Sequence, residues 1–146
     1  MQLIIYGVYT FLAAYNAGNM TTLQLQHYGI YPFVGRGNFK AYISANNKAA
    51  LIPSILPGVS MLILSIALLF IRPNFMTATE AIISLVLNVL AFISTFRWQR
   101  KIQSDMANNG YDEASMKLLL STNWIRTIAF ILLGVMTVSI LAYAVK

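Results

Sequence analysis

Between Ala49 and Ile71 the sequence runs for 23 residues without a charged side chain. An α-helix needs about 20 apolar residues to cross the hydrocarbon core of a bilayer, and three other stretches approach that length. Only 10% of all residues are charged, whereas soluble domains carry roughly a quarter. We therefore predict an all-α fold, an integral membrane four-helix bundle that forms a single transmembrane domain. The predicted spans are 2–22, 49–71, 77–97 and 124–145.

The connections between the predicted spans differ in length. Residues 72–76 contain Pro73 and form a short turn, so the second and third spans are predicted to make an antiparallel hairpin. The first and third connections are long, covering about 19–48 and 97–127. Asp112 is a predicted N-cap of the helix that continues into the last span.

Eight of the ten Lys and Arg residues fall in the two long connections. They are Arg36, Lys40, Lys48, Arg97, Arg100, Lys101, Lys117 and Arg126. The positive-inside rule places such connections on the cytoplasmic face. With four spans, both termini are then non-cytoplasmic, and we predict a location in a bacterial inner membrane.

The composition also limits the chemistry. The chain has no cysteine, one histidine and four carboxylates, which is a thin supply of metal ligands. We therefore predict neither a metal site nor a cofactor. The net charge is +6, but the basic residues flank apolar runs and indicate orientation rather than nucleic-acid binding. Membrane lipid is the predicted partner, and a homo-oligomer is compatible with this pattern.

Weakly polar side chains recur at helical spacing within the predicted spans. Along the third span they share one helix face, and they are Glu80, Ser84, Asn88, Ala91, Thr95 and Gln99. We interpret such a stripe as a packing surface between helices, or alternatively as the wall of a polar cavity. For Glu80 the alternatives are a carboxylate at a helix N-terminus and a proton-coupling group.

Pro53 and Pro57 lie near the cytoplasmic start of the second span, and each removes a backbone hydrogen-bond donor. One interpretation is a tolerated kink. The alternative is that the freed carbonyl groups of Ala49 and Pro53 face a cavity and accept hydrogen bonds there.

Reactive side chains concentrate at the predicted cytoplasmic end. Asn123 and Arg126 are three residues apart and share a helix face. If that face points into the bundle, the guanidinium group is suited to an anionic enolate or phenolate oxygen. His27 is the side chain whose ordinary pKa is closest to neutrality, so it is a candidate general base. The alternative for His27 is a solvated or capping residue.

The segment from Thr122 to Thr127 resembles the W-N-x-x-R-T-like segment that opens the last helix of the anthrone oxygenase-like family (the DUF1772 domain). Asn123, Arg126 and Thr127 occupy the matching positions, but Thr122 replaces the tryptophan, and Trp124 follows the asparagine instead. A second family element, an aromatic-Pro pair followed by Phe and a later Pro, is similar to Tyr31-Pro32 through Phe39 to Pro53.

Characterised members of that family oxygenate polyketide anthrones to anthraquinones without a cofactor. The resemblance implies that this chain binds or oxidises an apolar aromatic or phenolic small molecule at the cytoplasmic end of the bundle. It implies catalytic roles for three residues: a base at His27 and oxyanion donors at Asn123 and Arg126. The implied substrate-binding residues are Tyr31, Trp124 and Thr127.

Two other functions are compatible with the sequence. A non-enzymatic membrane scaffold or accessory subunit needs only packing faces and explains the polar stripes without a cavity. A small oligomeric transporter needs a continuous polar path, for which only Asn16, Asn88 and Glu80 are available within the spans, so we rank it third.

Overall fold

The computed structural model describes residues 2–145, and all regular secondary structure in that range is helical. The helices are α1 (Gln2–Thr22), α2 (Phe39–Ala49), α3 (Leu56–Ile71), α4 (Ala78–Ser94), α5 (Arg100–Asn109) and α6 (Glu113–Ala144). Three π-helical turns adjoin them, Leu23–His27 after α1, Leu51–Ile55 before α3 and Thr95–Gln99 between α4 and α5. A 3₁₀ turn, Tyr28–Phe33, follows the first of these.

Three helical stretches are long and apolar enough to cross a membrane, namely Leu51–Ile71, Ala78–Asn109 and Glu113–Ala144. The predicted all-α class is therefore confirmed, and so is the presence of helices suited to a bilayer. The last two stretches have 32 residues each, or about 48 Å at 1.5 Å per residue. Because the hydrocarbon core is about 30 Å thick, roughly 18 Å of each would extend beyond it.

The ends of these helices follow local sequence signals. Thr77 and Glu80 form a capping box at the start of α4, with the Thr77 backbone N–H donating to Glu80 Oε2 at 2.7 Å. This supports the helix-terminus interpretation of Glu80. Gly110 ends α5 with φ 98°, a conformation that favours glycine. Asp112 caps α6 by accepting from the Ser115 backbone N–H at 2.7 Å, as predicted.

The main core lies where α1, α3, α4 and α6 pack together. The helices α1 and α6 lie in close contact at Gly134, where a Cβ atom would lie 3.5 Å from Ala17 Cβ. The polar stripe of α4 contributes to this packing, since Asn88 Nδ2 donates to the buried Tyr9 hydroxyl at 3.0 Å. At Asn88 the stripe is thus a surface of helix contact, whereas Thr95 and Gln99 at its other end line a cavity.

A second hydrophobic cluster lies beyond the π-helical turns, where α2, α5 and the start of α6 pack together. Tyr28 and Tyr31 are buried in this cluster. The glycine and proline pattern predicts a loop over residues 27–37, but the chain is helical as far as Phe33. The loop prediction is wrong for that part, because burial of the two tyrosines outweighs the local glycine and proline signals. Lys146, which enters the charge count, lies outside the described residues.

Candidate functional site

A half-open cleft of about 500 Å³ lies where the three π-helical turns come together. Each turn supplies lining residues, for example His27 from the first, Pro53 from the second and Gln99 from the third. A π-helical turn adds a residue to the helix and frequently occurs at functional sites. The volume is within the range of small-molecule sites, about 300–1,000 Å³.

The cleft is lined by cations and by no carboxylate. Lys48, Arg100 and Arg126 contribute positive charge, and His27 also lines the cleft. All four acidic residues of the chain are elsewhere. An anionic ligand is therefore the electrostatic complement of this cleft.

Arg126 is the most unusual of these cations because its side chain is only 7% exposed. Its Nε donates to Asn123 Oδ1, and its Nη2 donates to the Tyr28 hydroxyl at 2.7 Å. Within residues 2–145 the only ion pair joins Lys117 to Glu113 on the surface. A buried guanidinium group thus borders the cleft without a carboxylate partner, although unpaired buried charges are costly.

The position of Arg126 is set by a buried polar chain behind it. Asn123 Nδ2 donates to Gln24 Oε1 at 2.6 Å and to Thr127 Oγ1 at 3.3 Å. Gln24 Nε2 in turn donates to the Leu120 carbonyl at 3.2 Å. These bonds tie α6 to the π-helical turn after α1 and hold the guanidinium group in one orientation.

The Tyr28 hydroxyl accepts two hydrogen bonds at the wall of the cleft. One comes from Arg126 and the other from Gln103 Nε2 at 3.1 Å. Two accepted bonds use both lone pairs of the oxygen, so its hydrogen is free to point into the cleft. Tyr28 thus supports Arg126 and keeps a hydroxyl hydrogen that no described acceptor uses.

His27 lies beside Tyr28, with ring centroids 5.8 Å apart. Its Nε2 is 3.4 Å from the Tyr31 hydroxyl, and that hydroxyl accepts from Asn46 Nδ2 at 3.1 Å. Burial lowers the pKa of His27, an effect partly opposed by a hydrogen bond with Asn46. The imidazole is therefore neutral near pH 7 and able to accept a proton.

Polar acceptors complete the lining. Asn47 Oδ1 and Gln99 Oε1 are buried atoms without a hydrogen-bond partner in the described part of the chain, and both residues line the cleft. The Pro53 carbonyl accepts from Asn19 Nδ2 at 2.8 Å and from the Tyr15 hydroxyl at 2.8 Å. The Pro53 carbonyl thus accepts hydrogen bonds, which is one part of the second interpretation of the two prolines, and Pro53 and Asn19 both line the cleft.

Of the six site residues predicted from the sequence, two line the cleft, three are buried behind it, and Trp124 lies apart from it. His27 and Arg126 line the cleft. Tyr31, Asn123 and Thr127 are fully buried and support these two side chains rather than line the cleft.

Trp124 lies apart from the other predicted site residues, because it is 42% exposed and lines neither the cleft nor a smaller cavity beside it. It follows Asn123 directly, and one residue turns an α-helix by about 100°. Its ring therefore points away from the face that carries Asn123 and Arg126, and it offers no stacking surface to the cleft.

Five other residues with a part in the site were not predicted. Tyr28 lines the cleft and accepts from Arg126. Gln24 and Gln103 hold Asn123 and Tyr28, and Lys48 and Arg100 line the cleft. The four-residue spacing of Gln24 and Tyr28 would have placed them on one helix face. Nothing local in the sequence indicates that this face meets α6.

Comparison with protein-family models, curated proteins and solved structures finds no match to this chain. The geometry and charge of the cleft are therefore the main guide to its function.

Proposed function

We propose that the chain is an integral membrane four-helix bundle in which α1 is the fourth span. Its outer surface supports this, because Ile4 is 73% exposed and Phe11 is 68% exposed, a surface more suited to lipid than to water. The eight basic residues of the long connections then favour a cytoplasmic cleft and non-cytoplasmic termini. A bacterial inner membrane fits this orientation.

We further propose that the cleft binds a planar, weakly acidic, apolar aromatic molecule and oxidises it without a cofactor, as the resemblance to anthrone oxygenases implies. The observation that carries this proposal is the buried Arg126 guanidinium group, which borders a cleft without a carboxylate and lies near a neutral histidine. A phenol or enol supplies the anionic oxygen that such a group lacks.

In the proposed reaction His27 removes a proton from the substrate carbon opposite the acidic oxygen. Arg126 and the Tyr28 hydroxyl stabilise the resulting oxyanion, the usual task of fixed donors. The carbanion adds O₂, and the resulting peroxide anion takes the proton back from His27 to give a hydroperoxide. Loss of water then leaves one oxygen atom as a new carbonyl, so the CH₂ group and O₂ become C=O and H₂O.

The test measures anthrone oxidation and O₂ uptake by the purified protein and by two variants. In His27→Gln we expect kcat to fall by about 10²-fold or more, the contribution of a general base, with little change in KM. In Arg126→Lys we expect kcat to fall because one ammonium group cannot reproduce a planar fork. Gln26→Ala is the control, since Gln26 is exposed and lines neither cavity.

Two results would contradict the proposal. If the wild type neither binds nor converts any anthrone or phenol, the scaffold hypothesis replaces it. If the wild type turns over and both variants match it, the reaction class stands but the assigned residues do not.

A further inference from the structure

A second, smaller cavity of about 60 Å³ continues from the cleft into the layer between α3 and α4. The two cavities share Ser54, Ile55, Thr95, Arg100 and Arg126. The small cavity is therefore an extension of the cleft, and Arg126 lies where the two meet.

The walls of this extension are mostly apolar. Beyond the shared residues they are Met20, Gly58, Ala91, Phe92, Phe96 and Phe130. Phe96 is 54% exposed on the outer surface of the fold, so the extension runs toward the side that faces lipid. Arg100 lies over the Phe96 ring at 5.4 Å and places a cation at the same boundary.

Gly58 shows that this space is not needed for packing. The residue is buried, yet a Cβ atom built on it would meet nothing within 4 Å. The π-helical turns Leu51–Ile55 and Thr95–Gln99 flank the same layer and supply residues to the cavity. The bundle therefore maintains a narrow gap between two helices that otherwise pack together.

We infer that the ligand is an amphiphile, a phenol-like head with an unbranched alkyl chain, and that the chain leaves the cleft between α3 and α4 toward the bilayer. This inference rests on the proposed function for the chemistry of the head. The head occupies the large cationic cleft beside Arg126. The gap has about twice the volume that one water molecule occupies in the liquid, which is too small for an aromatic ring and enough for about two methylene groups.

The test compares 4-ethylphenol with 4-octylphenol as probes of the wild type, Gly58→Leu and Gly7→Leu in one detergent. Leu at position 58 fills the gap without meeting other atoms at its Cβ. Gly7 is a matched control, because it is a helical glycine with open space beside it that lines neither cavity. Partitioning into detergent is the same for all three proteins, so only differences between proteins are interpreted.

Burial of one methylene group is worth about fourfold in affinity. With about two groups in the gap, Gly58→Leu should weaken octylphenol binding by about tenfold or more and ethylphenol binding by less than twofold. Gly7→Leu should change neither. A photoreactive octylphenol with its diazirine on the chain should label α3 and α4 near Gly58 in the wild type and lose that labelling in Gly58→Leu.

The outcomes separate this inference from the proposed function. Equal octylphenol affinity in all three proteins, with unchanged labelling, overturns the chain path even if phenols bind. Octanoate carries a carboxylate in place of the phenol and tests whether the head group has to be phenolic. If octanoate binds and is weakened by Gly58→Leu while both phenols fail to bind, the gap is supported and the phenol function is refuted. If no probe binds, both are refuted.

Discussion

Replacing Arg126 with glutamine should separate an effect on ligand binding from an effect on folding stability. The substitution removes the charge and most of the donors and keeps one amide that can still reach Asn123. A hydrogen bond to a charged group is worth about 1.5–3 kcal/mol. Loss of one such bond to a phenolate oxygen corresponds to about 10- to 150-fold in Kd.

The effect on folding should be small or even favourable. The lost bond to Tyr28 costs about 1.5–3 kcal/mol, and Tyr28 lines the open cleft, where water can replace its lost donor. Against this, removal of a buried charge that has no carboxylate partner recovers several kcal/mol of desolvation free energy. We therefore expect Tm to change by only a few degrees.

The assay is titration of a phenolic ligand by isothermal calorimetry, together with thermal unfolding in detergent. Arg97→Gln is the control, because Arg97 is an exposed arginine close to the cleft that lines neither cavity. The reasoning fails if Arg126→Gln binds within twofold of the wild type. It also fails if the Tm of Arg126→Gln falls steeply and Arg97→Gln loses as much ligand affinity as Arg126→Gln. Arg126 would then have no specific part in binding.

Three further predictions concern pH, packing and topology. Burial lowers the pKa of His27 below the ordinary 6.5. The folding stability should therefore fall as the pH drops below about 6.5 and level off below the lowered pKa. Thermal unfolding from about pH 8 to 5 should show this loss in the wild type and not in His27→Gln. Gly134→Leu should cost about 1–3 kcal/mol by overpacking against Ala17, seen as a lower Tm than in Gly7→Leu. The chain has no native thiol, so single cysteines can report the orientation. Asp105→Cys should react only with a thiol reagent added from the cytoplasm, and Asn74→Cys only with one added from the other side. The reverse pattern would contradict the proposed orientation.

Much of the fold could be predicted from the sequence because its signals are local. Long apolar runs specify helices of membrane-crossing length, and the capping residues Thr77 and Asp112 mark helix starts within one turn of themselves. The pairing of Asn123 with Arg126 was equally accessible, since a spacing of three residues places two side chains on one helix face whatever the rest of the chain does.

The site depends on contacts that no local pattern encodes. Asn123 meets Gln24 and Arg126 meets Tyr28 across 99 and 98 residues of sequence. Such contacts exist only once α1 and α6 pack at a particular rotation and depth. Rotation about the helix axis is also why Trp124, adjacent to Asn123 in sequence, lies outside the cleft. The apolar runs specify which segments become helices, whereas the packing of those helices specifies which side chains meet.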